Sequence, residues 1–121
     1  MKRFELGVDG PGAADYPDTA ASVARAVARG EADGGIAIDA FGTGSAIAAN
    51  KVAGARAAMV TTEAVARSAR EHDGVNVLTL GASLLTEAEA REVVAAWLDA
   101  RMREPGDLRR LAKVARLERQ R

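Results

Sequence analysis

The fold is decided by one stretch of the chain, Gly35-Ile36-Ala37-Ile38-Asp39-Ala40-Phe41-Gly42-Thr43-Gly44-Ser45. Its apolar start predicts a buried strand, the glycines predict a turn, and residues 46–51 are typical of a helix. Such a turn can direct backbone N–H groups at an anion, and in an open α/β sheet it lies where ligands usually bind. A plain connection between a strand and a helix would have similar residues. The stretch fits neither G-x-G-x-x-G nor a P-loop, which disfavours dinucleotides and nucleoside triphosphates as ligands.

Short apolar runs alternate with longer amphipathic runs along the chain, which predicts βα units and a mainly parallel sheet. We expect strands at 4–8, 35–38, 56–60 and 75–80. Residues 15–18 are expected to form a turn. Helices are expected from Asp18 to about Gly30, at 46–51, from Thr61 or Thr62 to about Glu71, from Thr86 to Arg101, and from Asp107 to about Arg119. Residues 1–121 are therefore expected to form a single α/β domain with a C-terminal helical arm.

The composition excludes several functional classes. The 17 basic and 17 acidic residues balance, so nothing points to nucleic acid or to an anionic membrane. Cysteine is absent, which excludes disulfides, thiolate metal sites and a cysteine nucleophile. The N-terminus lacks a signal-like apolar run and no segment is long enough to span a bilayer, so we expect a cytoplasmic protein. Because aromatic residues make up only 3%, the core must consist of small aliphatic side chains, which favours burial against a second subunit.

Asp39 is the first candidate for acid–base chemistry. It follows an apolar strand and precedes the glycine turn, where a partly desolvated carboxylate is a better proton acceptor. Backbone N–H groups of the turn could then stabilise an enediolate oxygen. The alternative is a turn aspartate that is hydrogen-bonded locally.

His72 and the C-terminal arm provide further candidates. His72 is the single histidine, suited either to acid–base work, for example opening a sugar ring, or to satisfying carbonyls at a helix end. The arginines of the arm suit phosphate, although such a run is usually a solvated helix face. An apolar stripe on the arm predicts a packing or dimer surface; it comprises Leu108, Leu111, Ala112 and Ala115. Trp97 is expected in the core or at an interface.

Six segments together resemble the family of ribose-5-phosphate isomerase B and the galactose-6-phosphate isomerase subunits. They span roughly residues 15–114 in the order and spacing of that family. The segments are 15–18, 35–44, 47–58, Ala69-Arg70-Glu71-His72, Asn76-Val77-Leu78-Thr79-Leu80-Gly81-Ala82 and Arg109-Arg110-Leu111-Ala112-Lys113-Val114.

This resemblance implies a Rossmann-like, three-layer α/β fold with about four or five strands. It also implies a homodimer or tetramer, or a hetero-oligomer with a paralogous subunit, in which the arm at about 106–121 lies at an interface. The implied reaction is the interconversion of an aldose and a ketose phosphate through an enediolate. Active sites would be shared between subunits, and neither a metal nor an organic cofactor is implied.

The resemblance also suggests roles for individual residues. Asp39 stands where many ribose-5-phosphate isomerases have a cysteine base, and Ser45 stands where other members have a glutamate base. Gly42, Thr43 and Gly44 would form the anion-binding turn, with Thr43 helping to hold the enediolate. The remaining assignments are His72 for ring opening across the dimer interface, Arg110 for phosphate, and Tyr16 for lining the substrate.

Several positions depart from the family pattern. Only fourteen residues precede Asp15, where members normally have a strand ending in Asp-His-Ala-Gly, a helix and a second strand. Residues 6–10 could supply the first strand, in which case Asp9 would occupy the position of the family aspartate and Gly10 that of the family histidine. Alternatively, these residues could be the end of the second strand. Asp73 replaces the asparagine that follows the ring-opening histidine, and Ser83 and Gly106 replace arginines. The alternative function is therefore a catalytically reduced partner subunit or a sugar-phosphate-binding module.

Overall fold

The computed structural model describes residues 4–8 and 15–120. Strands and helices alternate along most of this length, and two helices end the chain. The elements are β1 (Phe4–Val8), α1 (Tyr16–Ala28), β2 (Gly34–Asp39), α2 (Thr43–Asn50), β3 (Ala57–Met59), α3 (Glu63–Asp73), β4 (Val77–Gly81), α4 (Glu87–Asp99) and α5 (Pro105–Arg119). The predicted βα alternation is confirmed.

The four strands form one parallel sheet in the order β1-β2-β4-β3. Because every strand runs in the same direction, all of them end on one side of the sheet, which we call the carboxyl edge. Asp39 and Gly81 are paired there. The opposite side, where Gly34 and Val77 begin their strands, is the amino edge. Four strands agree with the expected four or five.

Helices cover both faces of the sheet, which gives three layers. Side chains alternate along β4, so Val77 packs with α1 and α2 whereas Leu78 and Leu80 pack with α3 and α4. Trp97 of α4 is fully buried, and its indole N–H donates to the carbonyl of Val75 at 3.0 Å. The rest of the core is aliphatic and rich in alanine. The predicted small-residue core is thus confirmed, and Trp97 belongs to it.

The first strand lies directly beside β2. Val8 pairs with Ile38, and Phe4 pairs with Gly34, so no gap separates β1 from β2. This pairing favours the interpretation in which residues 6–10 supply the first strand of the family pattern. Asp9 and Gly10 themselves lie outside the described residues.

Three expected boundaries were wrong at helix starts; one is that of α5, which begins at Pro105 rather than Asp107 because proline is compatible with a first helical turn. Residues 15–18 do not form a separate turn, because α1 already begins at Tyr16 with Asp15 as its N-cap. Pro17 is compatible with a first helical turn, where its missing N–H would have no partner in any case. α2 begins at Thr43 rather than residue 46, because Gly42 serves as its N-cap. The expected start of α4 is confirmed, because Thr86 is its N-cap and forms a capping box with Glu89.

The C-terminal arm, α5, differs from the other helices in what it buries. It packs on α3, and its only buried residue is an acid, Asp107. Leu108, Val114 and Leu117 are instead at least half exposed. An ordinary surface helix buries its apolar side, so α5 has an apolar surface that the described part of the chain leaves uncovered. No helix between residues 15 and 120 is both long and apolar enough to cross a membrane.

Candidate functional site

The glycine turn at the carboxyl edge is held in one conformation by its neighbours. Gly42 has a φ of 79°, and a Cβ at this position would lie 2.7 Å from Cγ of Met59. The buried Thr79 hydroxyl donates to the Gly42 carbonyl at 2.7 Å. The backbone N–H of Ala82 donates to the carbonyl of Asp39 at 2.8 Å. These contacts from β3 and β4 fix the backbone between β2 and α2.

Substitution of Gly42 by Ala should therefore be much more costly than the same change at Gly30. Both glycines have φ near 80°, but a Cβ at Gly30 would meet nothing within 4 Å. We expect Gly30→Ala to lower the free energy of unfolding by about 1 kcal/mol, from the positive φ alone. Gly42→Ala should lower it by about 3 kcal/mol because steric overlap is added. Urea unfolding of the two variants checks this difference, and equal losses would contradict the described turn.

Asp39 ends β2 immediately before this turn. Its carboxylate atom Oδ1 is buried and has no hydrogen-bond partner among residues 4–8 and 15–120. Buried polar atoms are nearly always paired in folded proteins, so an unpaired carboxylate oxygen marks a position that a ligand or proton could use. For Oδ1, this geometry disfavours the alternative of a locally hydrogen-bonded turn aspartate.

Other predicted residues surround the start of α2. The first N–H groups of a helix have no partner within it, and here they belong to the residues that follow Gly42. Tyr16 covers Gly44 so closely that a Cβ there would lie 2.6 Å from the tyrosine ring. Thr43 is exposed beside them, whereas Ser45 is buried. The structure thus brings Tyr16, the turn and Asp39 to the same region of the carboxyl edge.

A second cluster joins the end of α3 to the start of α5. His72 Nδ1 lies 2.8 Å from Oδ2 of Asp107, and Arg110 Nη1 lies 3.0 Å from its Oδ1. The hydrogen bond with Asp107 raises the pKa of His72, with a further contribution from the charge of that carboxylate. The hydrogen bond from His72 lowers the pKa of Asp107. The main contact of His72 is therefore with Asp107, and satisfying helix carbonyls does not describe its role.

This second cluster borders a cavity of about 520 Å³ between α5 and the β3 side of the sheet. His72, Asp73 and Arg110 line one part of it, and apolar side chains of α5, including Leu111 and Val114, line another. The predicted ring-opening and phosphate-binding residues therefore share one cavity. Within the predicted apolar stripe, Leu111 and Ala115 border the cavity, and Leu108 and Ala112 are exposed. That the stripe forms a packing or dimer surface stays a prediction.

The two clusters lie at opposite edges of the sheet. α3 starts after the carboxyl end of β3 and returns to the amino edge, where His72 precedes β4 by a few residues. Asp39 pairs with Gly81 at the other end of β4. The length of β4 alone separates the two edges by roughly 13 Å. One chain therefore does not bring Asp39 and His72 into contact with one small sugar.

Sequence reasoning missed two residues of these clusters. Asp107 was identified only as the expected start of the last helix, because its contact with His72 joins positions 35 residues apart. Thr79 could have been identified from the sequence, since it is the one hydroxyl-bearing residue in an otherwise apolar strand. Among the described residues, no group of three or more His, Asp or Glu side chains could hold a metal ion.

Comparison with known proteins identifies the family of this chain. A family model described as Ribose/Galactose Isomerase matches residues 1–114. The chain belongs to this isomerase family. Ribose-5-phosphate isomerase B of Escherichia coli is 40% identical over 107 residues, which cover 88% of this chain and 72% of that protein.

Two further members of the ribose/galactose isomerase family are informative. Ribose-5-phosphate isomerase B of Clostridium thermocellum superposes with a TM-score of 0.92 at 33% identity, covering 97% of both chains. The galactose-6-phosphate isomerase subunit LacA of Staphylococcus epidermidis is 39% identical over 79 residues, or 65% of this chain and 56% of that protein. The resemblance inferred from the six sequence segments is confirmed, and so is the Rossmann-like α/β fold.

Proposed function

We propose that this member of the ribose/galactose isomerase family interconverts an aldose phosphate and a ketose phosphate through an enediolate. The observation that carries the proposal is the buried Oδ1 of Asp39, which has no hydrogen-bond partner within residues 4–8 and 15–120 and lies beside the rigid turn at Gly42. A carboxylate with no internal partner can act as a proton acceptor, and adjacent N–H groups can stabilise the oxyanion that results.

In the proposed reaction Asp39 removes the proton from C2 of the open-chain aldose. The electron pair of that C–H bond forms the C1–C2 double bond, and the carbonyl electrons move to O1. The N–H groups at the start of α2 and the Thr43 hydroxyl stabilise this oxygen, while Tyr16 lines the site. The proton held by Asp39 exchanges with solvent while the enediolate is bound, and Asp39 then delivers a proton to C1 as the O2 proton passes to O1, which yields the ketose. No redox partner is needed, because electrons move only between adjacent carbons and oxygens of one molecule.

We infer that a complete site contains residues of two chains. Asp39 lies at the carboxyl edge and His72 at the amino edge, so a second copy is needed to supply His72, Asp73 and Arg110 to the sugar. The uncovered apolar side of α5 and the adjoining cavity provide a surface for that copy. We accordingly propose a homodimer or larger assembly of this single domain, with α5 at the interface.

Phosphate binding is assigned to Arg110. Its side chain is mostly exposed, and Asp107 holds it beside His72 at the cavity. The guanidinium can pair with two phosphate oxygens at once. Ser83 and Gly106 replace two arginines of the family pattern, so we expect weaker phosphate binding than a site with all three cations would provide. A phosphorylated sugar is retained inside cells by its charge, so we place the activity in the cytoplasm.

A second candidate is a partner subunit with little activity of its own. Similarity to LacA, whose name describes it as a subunit of galactose-6-phosphate isomerase, favours it, and so do the replaced arginines. Under this alternative the purified chain would bind sugar phosphates yet isomerise them only with a paralogous subunit.

The experiment that tests the proposal incubates the purified chain alone with tetrose, pentose and hexose phosphates and identifies the products by NMR. We expect one aldose–ketose pair to reach equilibrium with a kcat of about 1–1,000 per second, the usual range for enzymes. Binding without any product in the whole panel would instead support the partner-subunit alternative.

A further inference from the structure

A buried acid next to an exposed histidine is the least expected feature of the second cluster. Asp107 is only 4% exposed although it lies in the first turn of a terminal arm. Both of its oxygens are used, Oδ2 by His72 Nδ1 and Oδ1 by Arg110 Nη1. Desolvating a carboxylate is costly unless it is paired and hydrogen-bonded. The burial of Asp107 therefore depends on its contacts with His72 and Arg110.

We propose that Asp107 is a positioning residue, which orients the His72 ring and presents its Nε2 to the ring oxygen of a cyclic sugar phosphate. This inference rests on the proposed isomerase function. An ionised carboxylate only accepts hydrogen bonds, so the Nδ1–H of His72 must be the donor to Asp107. The other ring nitrogen, Nε2, is then the atom left for the substrate.

The chemistry at Nε2 is the opening of the sugar ring. Protonated His72 donates its Nε2 proton to the ring oxygen as the bond between C1 and that oxygen breaks. The bonding electron pair goes to the oxygen, which becomes a hydroxyl. The anomeric hydroxyl loses its proton to water as the C1 carbonyl forms, and solvent returns a proton to the exposed imidazole. Atoms and charge balance, and Asp107 itself transfers no proton.

Three nearby carboxylates favour the protonated form of His72. Asp107 on α5 and the neighbours Glu71 and Asp73 on α3 raise the pKa of His72. Arg110 also pairs with Asp107 and so competes with His72 for that carboxylate. A raised histidine pKa stabilises the fold below the unfolded value near 6.5, and this contribution disappears as the pH rises through the folded value. A lowered aspartate pKa stabilises the fold above 3.8, and this contribution is lost on acidification.

The test begins with NMR titration of the imidazole, since His72 is the single histidine of the chain and its signals need no assignment. We expect His72 of the intact protein to titrate above 6.5 and Asp107→Asn to shift its pKa down toward that value. Glu71→Gln is the matched control, because it removes a nearby charge that makes no hydrogen bond to the ring and should shift the pKa less. Equal titration of the intact protein and Asp107→Asn would overturn the inference whether or not the chain is an isomerase.

The second arm uses substrates that differ in whether they can cyclise. A pentose 5-phosphate closes a furanose ring through O4, whereas in a tetrose 4-phosphate that oxygen carries the phosphate and the chain stays open. Asp107→Asn should lower kcat for the pentose phosphate by about ten-fold or more and leave the tetrose phosphate nearly unchanged. Glu71→Gln should leave both unchanged.

The outcomes separate this inference from the proposed function. An equal loss on both substrates would show a structural role for Asp107 and overturn its role in ring opening. No turnover of either substrate by the intact protein would contradict the isomerase proposal, and with it the role of Asp107 in ring opening. The NMR titration would then still decide whether Asp107 controls His72.

Discussion

Replacement of Asp39 by Asn is expected to lower kcat for aldose–ketose interconversion by about a hundred-fold to ten-thousand-fold, the usual contribution of a general base. Asparagine has almost the same shape as aspartate but does not accept a proton at neutral pH. KM should change little, because Arg110 and the turn amides still hold the phosphate and the carbonyl. Initial rates at saturating and limiting substrate separate the two parameters.

The matched control for this variant is Asp99→Asn. Asp99 is also an aspartate at the end of an element, but it is exposed at the end of α4. It should retain full activity. Both variants should unfold at nearly the same temperature as the intact protein, because Oδ1 of Asp39 has no hydrogen bond to lose among the described residues. Full activity of folded Asp39→Asn would remove Asp39 from the mechanism.

Mixing two inactive variants should restore activity if the site is shared between chains. Asp39→Asn retains an intact His72, and His72→Asn retains an intact Asp39. After dissociation and reassociation at equal amounts, half of the dimers are mixed and each has one complete site, so about a quarter of the original activity should return. The activity of the mixture is compared with that of each variant treated alone.

The control mixture combines Asp39→Asn with the double variant Asp39→Asn/His72→Asn. It forms mixed dimers with the same efficiency but contains no intact Asp39, so it should remain inactive. Native mass spectrometry verifies that chains have exchanged. Exchanged dimers of the first mixture that stay inactive would mean that Asp39 and His72 do not serve a common site.

Much of the fold could be predicted from local patterns. The apolar run before Asp39 and the glycines after it fix a strand, a turn and a helix, and Thr86 with Glu89 fixes the start of α4. The boundary at Tyr16 could not be predicted, since Asp-Tyr-Pro-Asp is compatible with either a turn or a helix start. The packing of α1 on the sheet and on α2 favours the helix.

The candidate site could be predicted only in part, for a related reason. Asp39 and the turn are neighbours in sequence, so their proximity in space could be predicted from the local pattern. The proposed role of Asp107 depends on its contact with His72, which forms only because α5 packs on α3. No local spacing encodes that contact, and an acid in the first turn of a helix is common for other reasons.

The central claim is that the Asp39 carboxylate moves a proton between adjacent carbons of a sugar phosphate. Its most direct test is isomerisation in D₂O, with NMR measuring deuterium bound to carbon in the recovered sugar phosphates. We predict that the intact protein introduces solvent deuterium at C2 of the aldose or C1 of the ketose, and that Asp39→Asn introduces about a hundred-fold less per unit time or less still. Isomerisation by the intact protein without deuterium on carbon, or undiminished exchange by Asp39→Asn, would contradict the account.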